Sequence, residues 1–173
     1  MNRDFLIRIS TSLSAAIDAI GRWVSWLALA HVVLVAINVI LRYLFRVGPV
    51  ALQELEWHLI SPIALIGISY AMCHQDHVRV DILYDKFSPT VRHAIDLAAA
   101  LAAVVLSLII IKLSLGYVEQ AFEAGEVSPD PGGLPYRFLL KSFIPLGFLL
   151  LAVQALALVL REVVALMEQR PHG

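Results

Sequence analysis

The chain has 173 residues, of which 60% are hydrophobic and only 16% charged, and its mean hydropathy is +0.80. That balance is too apolar for a soluble core of this size and predicts a one-domain integral membrane protein. The net charge of −1 supplies no basic field for phosphates, which excludes a nucleic-acid partner, and the lone Cys73 excludes an internal disulfide or a multi-cysteine metal centre. There is no P-loop and no G-x-G-x-x-G run to hold a nucleotide.

The opening stretch, "MNRDFLIRISTSLSAAIDAIGR", places Arg3, Asp4, Arg8 and Asp18 where a cleavable signal would have its apolar segment, so this stretch is expected to be retained. Within it Leu6, Ile9, Leu13, Ile17 and Ile20 recur at helical spacing, with the charged residues mostly on other faces. The pattern predicts an amphipathic helix over 1–20 that lies in the membrane interface and joins the first span near Gly21. The same periodicity is met by a plain extension of the first membrane helix.

A bilayer core about 30 Å thick needs roughly 20 mostly apolar residues in a helix. The first such segment, about 22–44, contains "WVSWLALAHVVLVAINVIL" between Arg22 and Arg42. The second, about 54–74, contains "WHLISPIALIGISYAMC" and reaches full length only when the preceding glutamates join the helix. The third spans about 94–116, with Lys112 near its end able to snorkel to the headgroups. Between it and the fourth, the segment 119–137 includes "EVSPDPGGLPYR", whose prolines and paired glycines predict an irregular loop. The fourth span, about 141–161, contains "FIPLGFLLLAVQALALVL", with Pro145 and Gly147 expected in its opening turns, where proline does least damage.

The basic residues set the expected orientation. Arg3, Arg8, Arg22, Arg79, Lys86, Arg92, Arg161 and Arg170 fall on one side, against Arg42, Arg46, Lys112, Arg137 and Lys141 on the other. The richer side is expected to be cytoplasmic. The fold class is therefore an all-α membrane protein with four transmembrane helices, an interfacial amino-terminal helix and both termini in the cytoplasm.

Three constellations bear on function. In "QELEWHLISP", Glu54, Trp57, His58 and Ser61 share one helical face, while Glu56 is about 200° round from Glu54. With Arg42 and Arg46 a short loop away, these acids are candidates for an ion-pair cluster that fixes helices or meets a lipid or partner. A solvated acidic cap with Trp57 in the interfacial belt fits the same residues. In "HQDHVRVDILYDKF", His77, Arg79 and Asp81 alternate with apolar residues, as in an anchored interfacial segment. A zinc site from His74, His77 and Asp81 lacks a fourth ligand, so no metal is expected. His31 and His58 raise a haem alternative, but their different depths argue against one porphyrin joining them, and no cofactor is expected. Asn38 and Gln154, deep in the first and fourth spans, are read as interhelical hydrogen-bonding residues. The spans hold no carboxylate at mid-depth and no paired broken helices, so neither an enzyme nor a self-sufficient carrier is expected.

The stretches "LQELEWHLISPIALIGISYAMCHQDHVRVDIL" and "LPYRFLLKSFIPLGFLLLAVQAL" resemble the small membrane subunit of tripartite ATP-independent periplasmic (TRAP) transporters, the DctQ-like family. The matching features are the acidic cap at Glu54 and Glu56, the segment His77, Arg79, Val80, Asp81, and the entry Pro145, Leu146, Gly147, Phe148. Gln75 and Asp76 depart from the family's pattern, in which a glycine often precedes the histidine. The resemblance runs from about Trp23 to Leu160 and implies a bacterial inner-membrane protein. It further implies a small permease subunit that scaffolds a large membrane subunit in sodium-coupled uptake of a solute, an organic acid in the common case, delivered by a periplasmic substrate-binding protein. On this reading Arg42, Arg46, Glu54, Glu56, Trp57, His58, His77, Arg79, Asp81, Pro145 and Gly147 are candidates for contact with the large subunit or with phospholipid. Glu119, Glu123, Glu126 and Asp130 are candidates for steering a basic patch on the binding protein. A membrane-anchor cytochrome subunit and an assembly protein without a transported solute remain the rival readings.

Overall fold

The computed structural model describes residues 3–74, 84 and 87–168. Among these, four long helices make up the fold: α1 (Arg3–Leu44), α2 (Val50–His74), α3 (Pro89–Glu123) and α4 (Arg137–Glu168). All four are long and apolar enough to cross a membrane. The sequence's four spans are therefore present, and each helix outruns the apolar segment that announced it. Helix α1 has 42 residues, about 63 Å at 1.5 Å per residue, roughly twice the thickness of the hydrocarbon core.

Helix α4 is the hub, packing against each of the other three, and α1 also packs against α2. The pairing of α3 with α4 follows from a seam of small residues: Ala100, Ser107, Ser114 and Ala121 are the buried residues of α3, each seven positions after the last. A seven-residue repeat keeps one stripe facing one neighbour, and small residues let two backbones approach. The bulky residues between them, such as Leu101, Val105, Leu108 and Leu113, are exposed. This inversion is what a bilayer asks for, because lipid tails solvate leucine as well as a protein core does.

Helices α2 and α4 meet where Gly147 lies under Leu65: a Cβ at 147 would fall 2.7 Å from Leu65 Cβ and 2.8 Å from its carbonyl oxygen. Gly147 is thus a packing residue within this chain. Helix α4 begins six residues earlier than its apolar run, so Pro145 sits inside the helix rather than in its first turn. The extra turns are formed by "RFLLKS", which are good helix formers.

The expected joint near Gly21 is absent, because α1 runs unbroken from Arg3 to Leu44. One glycine costs a helix only about 1 kcal/mol relative to alanine, too little to interrupt it. Gly21 serves a close approach instead: a Cβ there would lie 1.9 Å from Tyr70 Cδ2. The amphipathic stripe is present, with Leu6 and Ile17 buried. Its neighbours are protein: Ser10 Oγ donates to the Ala157 carbonyl at 2.8 Å, Cys73 Sγ lies 3.5 Å from the Ser14 carbonyl, and Arg3 pairs with Glu168. Part of the apolar face of 3–20 thus packs on α2 and α4, while Phe5, Ile7 and Ile20 stay exposed.

Overpacking a tight contact typically costs about 1–3 kcal/mol. Gly147→Ala should lower the melting temperature of the detergent-solubilised protein by several degrees, whereas Gly116→Ala, with nothing within 4 Å of the added carbon, should hold or raise it. Equal melting of the two variants would contradict the close α2–α4 contact.

Candidate functional site

The two acids at the head of α2 organise one end of the bundle. Helix α1 stops with Arg46 in the left-handed region, φ 57°. The Phe45 and Val47 amides both donate to the Leu41 carbonyl at 3.1 Å, so one carbonyl near the helix end takes two donors as the chain leaves the helix. The chain turns through Pro49, whose carbonyl receives the Leu52 amide at 3.1 Å, and α2 starts at Val50. Glu54 therefore lies one turn inside the helix.

Glu54 is only 4% exposed, yet both carboxylate oxygens are engaged. Ser128 Oγ donates to Oε1, the Leu134 amide donates to Oε2 at 2.6 Å, and Arg137 Nη2 stands 3.6 Å from Oε1. The His58 ring lies on the same turn, with Nδ1 2.7 Å from the Glu54 carbonyl. A carbonyl only accepts, so Nδ1 carries the proton there. Glu56 faces the other way, as its angular offset requires, and its Oε1 accepts from Asn38 Nδ2 at 2.7 Å. One acid thus ties α2 to the segment leading into α4, and the other ties α2 to α1.

The segment between α3 and α4 is built around Glu54. Gly132 takes φ 81°, a conformation that suits glycine, and Gly133 is needed for a different reason. A Cβ at 133 would lie 2.3 Å from Ser128 Oγ and 2.8 Å from Glu54 Oε2. Backbone bonds close the rest: Ser128 amide to Leu134 carbonyl at 3.2 Å, Gly133 to Asp130 at 3.0 Å, and Arg137 to Glu126 at 3.1 Å. At the margin Lys141 pairs with Glu126, and its ammonium sits 3.9 Å above the Tyr117 ring.

The remaining sequence candidates divide by exposure. Arg42 and Arg46 are exposed, and the partners of Glu54 and Glu56 are Ser128, Leu134, Arg137 and Asn38 instead. The expected cluster of α1 arginines with α2 acids is therefore not formed: the loop folds over Glu54 and Arg137 reaches it first. Trp57 is exposed, and Pro145 is half-buried. Glu119 and Glu123 lie exposed on the last turns of α3, which continues to Glu123, and Asp130 is exposed in the loop. His77, Arg79 and Asp81 lie outside the described residues.

Sequence reasoning missed Ser128, Gly133 and Arg137 as partners of Glu54. The available signal was an acid and a base at the same end of the bundle, with paired glycines between helices, but no periodicity links positions 74 to 83 residues apart. It also missed the opposite end of the bundle, where His93 Nδ1 lies 2.6 Å from Glu162 Oε2 and Asp18 stands between Arg22, at 2.9 Å, and His74, at 3.3 Å.

Residues 31–165 match the family described as "Tripartite ATP-independent periplasmic transporters, DctQ component". The chain belongs to this DctQ family. The DctQ match takes in α2, α3, the Glu54-centred loop, most of α4 and the last third of α1. The chain is also 29% identical over 119 residues to the ectoine TRAP transporter small permease protein TeaB of Halomonas elongata, a match covering 69% of this chain and 61% of that protein. The DctQ family is one of transport proteins rather than enzymes, and with four apolar helices this member is a multi-pass inner-membrane protein.

Interhelical hydrogen bonds in membrane proteins average about 0.6 kcal/mol, with a maximum near 1.7. Asn38→Ala should therefore lower thermal stability only slightly. Asn38→Asp, which sets a second carboxylate against Glu56, should lower it clearly more at neutral pH. A melting series in which the two variants coincide would remove the Asn38–Glu56 tie from the fold.

Proposed function

We propose that this chain is the small permease subunit of a TRAP transporter and acts as a fixed scaffold for the large membrane subunit. The observation that carries the reading is where the polar side chains go. Asn38, Glu54, Glu56 and Ser10 are bonded between parts of this chain, so these four side chains tie helices together. The outer faces of α1 and α3, by contrast, are largely apolar through their middle stretches, with Trp26, Val33, Ile37, Leu106 and Leu113 exposed. Such faces suit lipid and a large membrane partner.

In this reading both termini are cytoplasmic and the Glu54 end is periplasmic. The long α1 and α4 give the partner's stationary part a footing that resists tilt while its transport domain moves. Uptake is coupled to sodium, and the solute, an organic acid on the family's pattern or ectoine as in the name of the Halomonas relative, is recognised by other chains. Arg42, Arg46 and Trp57 meet phospholipid headgroups or the large subunit at the periplasmic rim. Glu119, Glu123 and Asp130 steer the binding protein by charge, with Glu126 held back by Lys141.

Deleting this chain from its transport system should abolish uptake, and tagged chain should co-purify with a large membrane protein encoded beside it. A tagged chain that reaches the membrane but brings down no such partner would overturn the scaffold reading. A reporter fused after Gly173 should read as cytoplasmic; an extracytoplasmic signal would reverse the orientation.

A further inference from the structure

At the end of the bundle opposite Glu54, the geometry points to a phospholipid site on α1, in which Arg22, Trp23 and Trp26 hold the phosphate of one lipid and the helix beyond them carries its acyl chain. The inference needs only that α1 crosses the membrane, so it stands apart from the scaffold reading. Ala19, Arg22, Trp23 and Trp26 line a cavity of about 240 Å³. They occupy positions i, i+3, i+4 and i+7 of one helix and so share a face. The small Ala19 side chain leaves room beside the guanidinium, and the two indoles, 76% and 66% exposed, bound the rest.

The chemistry of the lining selects the ligand. The polar side-chain groups that these residues carry, one guanidinium and two indole N–H groups, are all donors with no acceptor among them. Their complement is an acceptor, and a charged one is held more strongly than a neutral one. Arg22 is exposed but positioned: its Nη2 lies 2.9 Å from Asp18 Oδ2, and Asp18 Oδ1 stands 3.3 Å from His74 Nε2 on α2. Asp18 thus meets one terminal nitrogen of a group with five N–H donors. Of the other charges at this end, His93 and Arg3 are engaged by Glu162 and Glu168 of α4. The next basic residue along the same face of α1 is Arg8, about 21 Å farther out and beyond reach of the same phosphate.

The surroundings of the cavity assign the anion to a lipid rather than to a free ion. Arg22 is the last charged residue before "WVSWLALAHVVLVAINVIL", so it stands where headgroups meet hydrocarbon, the level that tryptophan also favours. On the same face Leu29 and Val33 follow Trp26 at helical spacing, and both are exposed. Arg22 to Val33 spans about 16 Å, close to the depth of one leaflet. A soluble anion has no use for that apolar track, and an acyl chain does.

The test uses the full-length chain in detergent micelles, with Trp57→Phe so that Trp23 and Trp26 are its two tryptophans. It reads the quenching of their fluorescence by phosphatidylglycerol and by diacylglycerol that carry the same brominated acyl chains, so that only the first lipid has a phosphate. Quenching by the phosphatidylglycerol should saturate at a low mole fraction, and quenching by the diacylglycerol should rise only in proportion to its amount. Arg22→Gln removes the charge, and Ala19→Leu fills the cavity from an exposed position while keeping Arg22. Each should raise the half-saturating mole fraction about tenfold, the size of one charge-assisted hydrogen bond.

An unchanged half-saturation in either variant overturns the inference, and so does equal quenching by the two lipids, which is the behaviour of an ordinary interfacial belt. If Arg22→Gln fails to fold, Ala19→Leu decides. Displacement of the phosphatidylglycerol by inorganic phosphate would give the cavity to a soluble anion and also overturn it. The quenching should persist with the large subunit bound, once the signal of the same complex with all three tryptophans of this chain replaced by phenylalanine is subtracted. Its loss there would assign this face to the large subunit and contradict the lipid site.

Discussion

The fold depends on one constraint: in hydrocarbon, helices gain nothing by hiding leucine from their surroundings, so they must associate through close backbone contact and a few satisfied polar groups. This chain meets the constraint along α4, which touches all three other helices. Its contacts run through Gly147 against Leu65, through the Ser10 hydroxyl on the Ala157 carbonyl, and through the small residues that α3 buries at every seventh position. The apolar bulk that makes the sequence so hydrophobic faces outward.

The polar ties are concentrated at the two ends. At one end Glu54 and Glu56 fasten α2 to α1 and to the approach to α4; at the other, Glu162 of α4 pairs with His93 of α3, and Asp18 of α1 pairs with Arg22 one turn on and with His74 at the end of α2. Charged pairs cost least to form where headgroups and water are near, and an unpaired charge is most costly at mid-membrane. A bundle clamped at both ends and smooth along its flanks is a stiff object. Stiffness suits the stationary role proposed for this subunit.

Much of this was legible in the sequence. The four apolar segments, the opposite facing of Glu54 and Glu56, the hydrogen-bonding role of Asn38 and the irregular loop all follow from length, angular period and turn chemistry. The helix ends were not, because Gln53, Glu54 and Glu56 in one helix and Arg137, Lys141 and Ser142 in the other break the apolar window without breaking the helix. The destination of the stripe from Leu6 to Ile20 was also hidden, since periodicity says that a face is buried and not against what. The partners of Glu54 lie farthest from any sequence signal. Arg42 and Arg46 are its nearest basic residues in sequence, but chain reversal at Gly132 and Gly133 brings Ser128, Leu134 and Arg137 over it first.

The stiffness of the bundle can be read as a distance. With Cys73→Ala removing the single native thiol, spin labels at the exposed Tyr43 on α1 and Phe122 on α3 would report across the bundle by pulsed electron resonance, in the complex with the large subunit. A fixed scaffold predicts one distance distribution, unchanged by sodium and solute-loaded binding protein. A second distance that appears under transport conditions would show that these helices move during the cycle and would contradict the scaffold role.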